Sequence, residues 1–227
     1  MAEGNVAPAH PSATVVLVRD ADDGLEVLLV RRNAKLTFHG GAWVFPGGRI
    51  DPSDHLPELP DDLPAAARRA AVRELREEAS LELDIESLRA ISRWVTPEIL
   101  PKRFDTWFFL APATNYDVVV DGGEIHEFRW TAPRDALRDQ REGTIELPPP
   151  TFVTLNDLAR CADVAGALET LSVGEPRPFR PRICNIEGGA CSLYEGDAGY
   201  DGLDPDAPGA RHRLWILKSG WRYEREY

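Results

Sequence analysis

The chain has 227 residues, with 38 acidic against 26 basic side chains, a net charge of −12, and 43% hydrophobic and 28% charged residues. This length buries a sizeable core and this composition is that of a globular protein, while the negative balance excludes one that grips a long nucleic acid polymer by neutralising its phosphates. Apolar runs such as ATVVLV and TWFFLAPA are strand-sized and too short to cross a membrane, no basic segment leads into an apolar leader, and Cys161, Cys184 and Cys191 match no zinc spacing, so the expectation is a cytoplasmic protein with free thiols and no membrane partner.

Residues 1–12 are rich in Ala, Pro and Gly and are expected to be a flexible, frayed N-terminus. SATVVLVRD and LEVLLVRR are β-branched runs joined by DADDG, whose Asp and Gly favour a turn, so a hairpin is predicted. GGAWVFPGG reads as a short aromatic strand ending at Gly47-Gly48, where the backbone can turn sharply or approach a ligand. After a Pro- and Asp-rich loop from Asp51, a helix is predicted from about Pro64 to about Ala79, with Asp61 and Asp62 suited to its positive end.

LRAISRWVT and RFDTWFFLAPA read as strands separated by the loop PEILPK, and DGGEIHEFRWTAPRDAL as a glycine turn, a strand to Trp130 and a short helix after Pro133. From about residue 140 the pattern changes. ELPPPTFVTLNDLARCADVAGALETL reads as one amphipathic helix after a proline run, with Thr154 or Asn156 as its cap, GEPRPFRPR is extended, and ICNIEGGACSLYEG and RHRLWILKSGWRYE supply hairpin and final strands. His10, His55, His126 and His212 are expected at the surface. Strands interleaved with helices give an α/β class with a mixed sheet.

The stretch RRAAVRELREEASLEL carries the chemistry. At roughly 100° per residue Ala71, Val72, Leu75 and Ala79 share one side, and Arg73, Glu74, Glu77 and Glu78 share another. Carboxylates three and four apart are helix neighbours and repel by roughly 0.2–0.5 kcal/mol per pair. A Glu-rich face alone is more often a solvated surface. Beside a Gly-Gly turn and an arginine, three such carboxylates suit a hard cation such as Mg2+ or Mn2+, which removes the repulsion, neutralises phosphate and lowers the pKa of a bound water. Arg73, one turn from Glu77, is placed to orient a carboxylate by charge-assisted hydrogen bonds.

These residues resemble the Nudix hydrolase signature G-x5-E-x7-R-E-U-x-E-E-x-G-U, where U is a bulky aliphatic residue. Gly48 starts it, Asp54 stands where the first Glu is expected, Arg73-Glu74-Leu75-Arg76-Glu77-Glu78 reproduces the central block, Ser80 replaces the glycine and Leu81 follows. The spacer from His55 to Val72 has 18 residues where the pattern has seven. LLVRRNAKLTFHGGAWVFPGG is similar to the segment preceding the box in Nudix coenzyme A diphosphatases, although Thr37 stands where that pattern has an arginine, and the box insertion, RFDTWFFLA and LPPPTFVTL resemble the peroxisomal branch. The C-terminal RYEREY contains no peroxisomal address.

The resemblance implies an α/β/α sandwich over residues 13–138, followed by a C-terminal helix-and-strand extension over 139–227 packed on the core. It implies Glu74, Glu77 and Glu78 as metal ligands with the Gly47 carbonyl as a further one. Arg73 then joins the catalytic group, with Glu124 or Glu127 as the additional acid from beyond the box. Arg32, His39 and Arg103 are the expected substrate contacts, with surface charge or packing as the plainer alternative. The implied activity is divalent-cation-dependent hydrolysis of a diphosphate bond in a nucleoside diphosphate linked to another group. Coenzyme A or an acyl-CoA leads, followed by ADP-ribose, dinucleotides and nucleotide sugars, with a non-catalytic nucleotide-binding regulator as the rival and a homodimer as a compatible assembly.

Overall fold

The structure is a computed structural model that describes residues 6–35, 39–114, 117–120 and 122–226. The chain divides into two compact units. Unit 2 spans Pro11–Ser92 and Thr106–Pro176; unit 1 includes Arg93–Asp105 and the segment from Arg177 onward.

In unit 2, β1 (Ala9–Ala21) and β2 (Gly24–Arg32) form the predicted hairpin, with Ala21 opposite Gly24 and only Asp22 and Asp23 between them. Strand β1 starts at Ala9, so Ala9–Ser12, expected to be frayed, are strand. The aromatic stretch is two short strands rather than one. β3 (Trp43–Val44) pairs with β2, and β4 (Gly47–Arg49) pairs with β1. The break falls at Phe45-Pro46, where Pro46 has no N–H to donate and its carbonyl accepts from Val15 N–H at 2.9 Å. Gly47-Gly48 is therefore strand, not a turn.

Strands β5 (Arg89–Val95), β6 (Arg103–Pro112) and β7 (Ile125–Thr131) complete the sheet, in the order β3-β2-β1-β6-β5 with β4 on β1 and β7 on β2. Helix α1 (Leu63–Ala79) lays Ala67, Ala70, Ala71, Leu75 and Ala79 against Val15, Leu17, Leu28, Val30 and Phe109 of the sheet. The small residues along that stripe let helix and sheet approach closely, and the burial of Leu75 alone contributes about 2 kcal/mol. Helix α2 (Pro133–Arg141) starts at the predicted proline.

The single helix predicted after the proline run is two, α3 (Pro149–Leu158) and α4 (Val164–Leu171). Thr154 and Asn156 lie inside α3 and cap nothing; the Asn156 amide donates to the Phe152 carbonyl at 2.8 Å. Prolines suit the first turn because the N–H groups they lack would be unbonded there. Asp163 divides the pattern: its carboxylate accepts from Gly166 N–H at 2.7 Å and caps α4, a role Asp fills better than a helix-interior one. Unit 2 runs on to Pro176, so residues 139–176 belong with the sheet and α1.

In unit 1, β8 (Arg177–Phe179) precedes an antiparallel sheet of β9 (Arg182–Ile186), β10 (Gly189–Leu193), β11 (His212–Leu217) and β12 (Gly220–Arg225) in the order β12-β11-β10-β9. Trp94 stacks on Phe179 at 3.9 Å between centroids, with Tyr194 edge-on to both. His212, expected at the surface, is half-buried against this cluster: its Nδ1–H donates to the Glu195 carbonyl at 2.7 Å, and its Nε2 lies 3.1 Å from the Tyr223 hydroxyl. Among the described residues no helix is long and apolar enough to cross a membrane, and all three cysteines are free.

Candidate active site

Helix α1 is started by Asp62, whose carboxylate accepts from Ala65 N–H at 3.0 Å, and ended by Ser80 in the left-handed conformation at φ 55°. A side chain there costs about 1 kcal/mol. The Ser80 hydroxyl offsets part of it by donating to the Val119 carbonyl at 3.0 Å. Because the apolar stripe is fixed on the sheet, the acidic side of the helix is turned towards β4.

Glycines let the two meet. A Cβ on Gly48 would collide with the Glu74 carboxyl group, and one on Gly47 with Ala13 and Thr14 of β1. Gly47 N–H donates to Glu78 Oε2 at 2.9 Å, which anchors the helix to β4 through a carboxylate.

Arg73 is the hub. Its Nη1 donates to Glu74 Oε1 at 2.8 Å and to Glu77 Oε2 at 3.0 Å, and its Nη2 donates to the Arg49 carbonyl at 2.9 Å. Its Nε and Nη2 also take both oxygens of Asp54. The hydrogen bonds it donates to Asp54, opposed by partial burial and reinforced by Glu74, hold this guanidinium firmly in its charged form. Asp54 is itself buried and set by a short 3-10 turn, Pro52–Asp54, in which Asp51 N–H donates to its Oδ2 at 2.8 Å.

The three helix carboxylates differ in surroundings. Glu77 is half exposed; Glu74 is largely buried and Glu78 almost wholly so. Burial pushes the Glu78 carboxyl up to about 8, against the Gly47 N–H that favours its ionised form and with the Glu74 charge adding to the rise. Burial also raises Glu74, opposed by Arg73.

The remaining predicted residues fall in three places. Glu124 precedes β7; its charge acts on both Glu74 and Glu78, and its Oε2 lies 3.9 Å from Arg32 Nη2. Glu127 sits opposite Arg31 in the β2–β7 ladder and accepts from its Nη1 at 3.1 Å. Arg32 faces this acidic group, with its Nε buried and without a hydrogen-bond partner among the described residues. His39 has a left-handed backbone at φ 53°, and burial lowers its pKa, with Glu146 opposing and Arg32 assisting. Arg103 belongs to unit 1, where it is buried and donates to the carbonyls of Thr96 at 3.0 Å and Ala7 at 2.7 Å. Asp54 has a larger part than sequence reasoning assigned it, although its position in the signature was the signal.

Among the described residues no three acid, His or Cys side chains already converge as a metal centre. The donor chemistry nonetheless fits a hard divalent cation, since all the donors are carboxylates and two of them are drawn out of water with one arginine and one backbone N–H to compensate them.

A mixed sheet with an acid-bearing helix docked on a glycine strand defines a Nudix-type α/β protein. The NUDIX domain profile matches residues 8–149, and the chain belongs to that family. Members generally use divalent cations. The chain is 31% identical over 158 residues to the acyl-coenzyme A diphosphatase NUDT19 of Xenopus laevis, covering 63% of this chain and 41% of that protein. It is 30% identical over 231 residues to the Homo sapiens protein of the same name, covering 96% of this chain and 60% of that protein. The chain thus spans about half the length of these relatives. A NUDIX hydrolase of Alicyclobacillus acidocaldarius superposes with a TM-score of 0.66 at 29% identity, over 74% of this chain and 99% of that one. The NUDIX domain of Shewanella oneidensis NrtR shares the fold at a TM-score of 0.52 and 18% identity, over 67% of this chain and 87% of that one.

Proposed function

We propose that this chain hydrolyses the diphosphate bond of a nucleoside diphosphate joined to another group, with coenzyme A or an acyl-CoA as the preferred substrate. The observation that carries the reading is the Arg73 hub, which gathers Glu74 and Glu77 on one nitrogen while Glu78 is pinned to Gly47. The names borne by the NUDT19 relatives support the substrate. All of these residues lie within unit 2, which we take as the catalytic part of a cytoplasmic protein, with the segment from Arg177 onward as its extension.

Glu74, Glu77 and Glu78, with the Gly47 carbonyl, would hold Mg2+ or Mn2+. When bound, the cation supplies charge neutralisation on the diphosphate and a more acidic water. The protein does the rest. Arg73 keeps Glu74 and Glu77 from rotating away, which lowers the entropy lost when they act together. Glu124 is the better placed of the two extra acids to take a proton from the attacking water, because its charge is felt by Glu74 and Glu78, whereas Glu127 is engaged by Arg31. Arg32, whose charge acts on Glu78 and whose Nη2 lies 3.9 Å from Glu124, brings positive charge to the phosphates. His39, beside Arg32, serves as a second substrate contact.

The test is a screen of coenzyme A, acetyl-CoA, ADP-ribose, dinucleotides and nucleotide sugars with Mg2+ or Mn2+, repeated on Glu77→Gln. Expected are hydrolysis of a CoA substrate and a loss of at least about 100-fold in kcat for the variant. Equal turnover by Glu77→Gln would remove the mechanism; tight binding of one compound without hydrolysis of any would make the protein a nucleotide-binding regulator.

A further inference from the structure

Glu124 stands just before β7, outside the strand ladder that fixes the direction of its neighbours. Val30 packs in the α1 cluster, so Arg31, next along β2, and Glu127, opposite Arg31, face the other side of the sheet. Regular alternation would carry Ile125 to that side as well. Instead Glu127 pairs with Arg31 and Ile125 with Arg32, which leaves His126 as an extra residue in β7, and Ile125 packs in the α1 cluster. An extra residue of this kind re-aims the chain beyond it.

Beyond that point one side chain takes over from the ladder. Asn33 directly follows β2. Its N–H donates to the Glu124 carbonyl at 2.7 Å, its Nδ2 donates to the Gly123 carbonyl at 2.9 Å, and its Oδ1 accepts from Lys35 N–H at 3.0 Å. Two consecutive carbonyls are thus held from one residue, while the amide oxygen starts the turn that leaves β2. Gly122 N–H donates to the Ile125 carbonyl at 3.1 Å and closes the held segment on itself. The carboxylate of Glu124 lies 3.9 Å from Nη2 of Arg32, the residue before Asn33, and its charge acts on Glu74 and Glu78.

Resting on the diphosphatase reading above, we propose that Asn33 is a positioning residue for hydrolysis: its side-chain amide pins the segment 122–124 so that Glu124 is held towards the acid-bearing helix. A carboxylate on an unpinned segment spreads over many positions, and that freedom has to be given up each time a water is activated. Holding the backbone beforehand removes the cost. In this role Asn33 acts through Glu124 alone and leaves the helix carboxylates as they are.

The experiment uses the full-length protein with Asn33→Ser, with Glu124→Gln, and with both. Serine keeps an oxygen for the turn with Lys35 N–H but is too short to hold the Gly123 carbonyl as well. KM and kcat are measured on the substrate found in the screen, Mg2+ binding is measured by calorimetry, and melting temperatures within a few degrees show that the variants are folded. Asn33→Ser is expected to lose about 3- to 10-fold in kcat at constant KM and constant Mg2+ affinity, and to lose nothing further in the Glu124→Gln background. A merely structural tie would cost the same in both backgrounds. That result, an unchanged kcat in Asn33→Ser, a parallel fall in Mg2+ affinity, or full activity in Glu124→Gln overturns the positioning role while the hydrolase stands. A wild-type protein that hydrolyses none of the compounds removes both.

Discussion

Arg73 holds both carboxylate oxygens of Asp54 across nineteen residues of chain, Nε to Oδ1 at 3.1 Å and Nη2 to Oδ2 at 2.9 Å. This pair ties α1 to the 3-10 turn before the inserted loop. It also fixes the guanidinium whose remaining nitrogen reaches Glu74 and Glu77.

Asp54→Ala frees that guanidinium while leaving the acids intact. The expected outcome is a fall in kcat of roughly 10- to 100-fold with a smaller change in KM, because positioning is lost rather than substrate contact. Steady-state kinetics on the screened substrate check it. An unchanged kcat would show that Arg73 needs no support from Asp54.

The buried Glu78 makes the metal-free protein sensitive to pH. With its carboxyl pushed up from 4.5 to about 8, the folded state keeps a proton that the unfolded chain releases. Stability without metal should therefore fall as pH rises from about 5 to 8 and level off above that. Cation binding needs the ionised carboxylate, so Mg2+ affinity should climb with pH over the same window. Melting curves and Mg2+ calorimetry at pH 6, 7 and 8 measure both, and Glu78→Gln should flatten both dependences.

Glu124→Gln and Glu127→Gln should separate cleanly. Removing a general base costs about 100- to 10,000-fold. Glu124→Gln is expected in that range, and Glu127→Gln, which loses an exposed ion pair with Arg31, to change stability by under about 1 kcal/mol and kcat little. The reverse order would transfer the role to Glu127.

In unit 1, the side chains of Asp197 and Arg213 are 0% and 1% exposed, with Arg213 Nε 2.7 Å from Asp197 Oδ2. Burial alone would raise the Asp197 pKa. The arginine and the N–H groups of His212 and Gly199 outweigh it and hold the carboxyl below its usual range. Its contribution is thus complete above about pH 4 and is lost as pH falls further. Asp197→Asn leaves a buried cation and should cost about 3–5 kcal/mol in urea unfolding followed by tryptophan fluorescence.

Much of the site was readable because helix geometry is local. The spacing of Arg73, Glu74, Glu77 and Glu78 places them on one side of α1 whatever the rest of the chain does, and the Ala and Leu stripe says which side is buried. The hairpin at Asp22-Asp23 and the final strands were legible for the same reason. The α3–α4 break was missed because Asp163 reads equally well as a polar position of one long amphipathic helix.

The sequence by itself thus determined the family, the acid-bearing helix and the glycines it needs, all of which depend on neighbours within one turn or one short strand. Only the tertiary structure decided that Asp54 clamps Arg73 and that Glu127 faces Arg31 while Glu124 acts on the helix acids. Those relations depend on strand register, and the irregularity between Arg31 and Arg32 in the β2–β7 pairing shifts that register by a residue. A one-residue shift moves a side chain to the other face of a sheet.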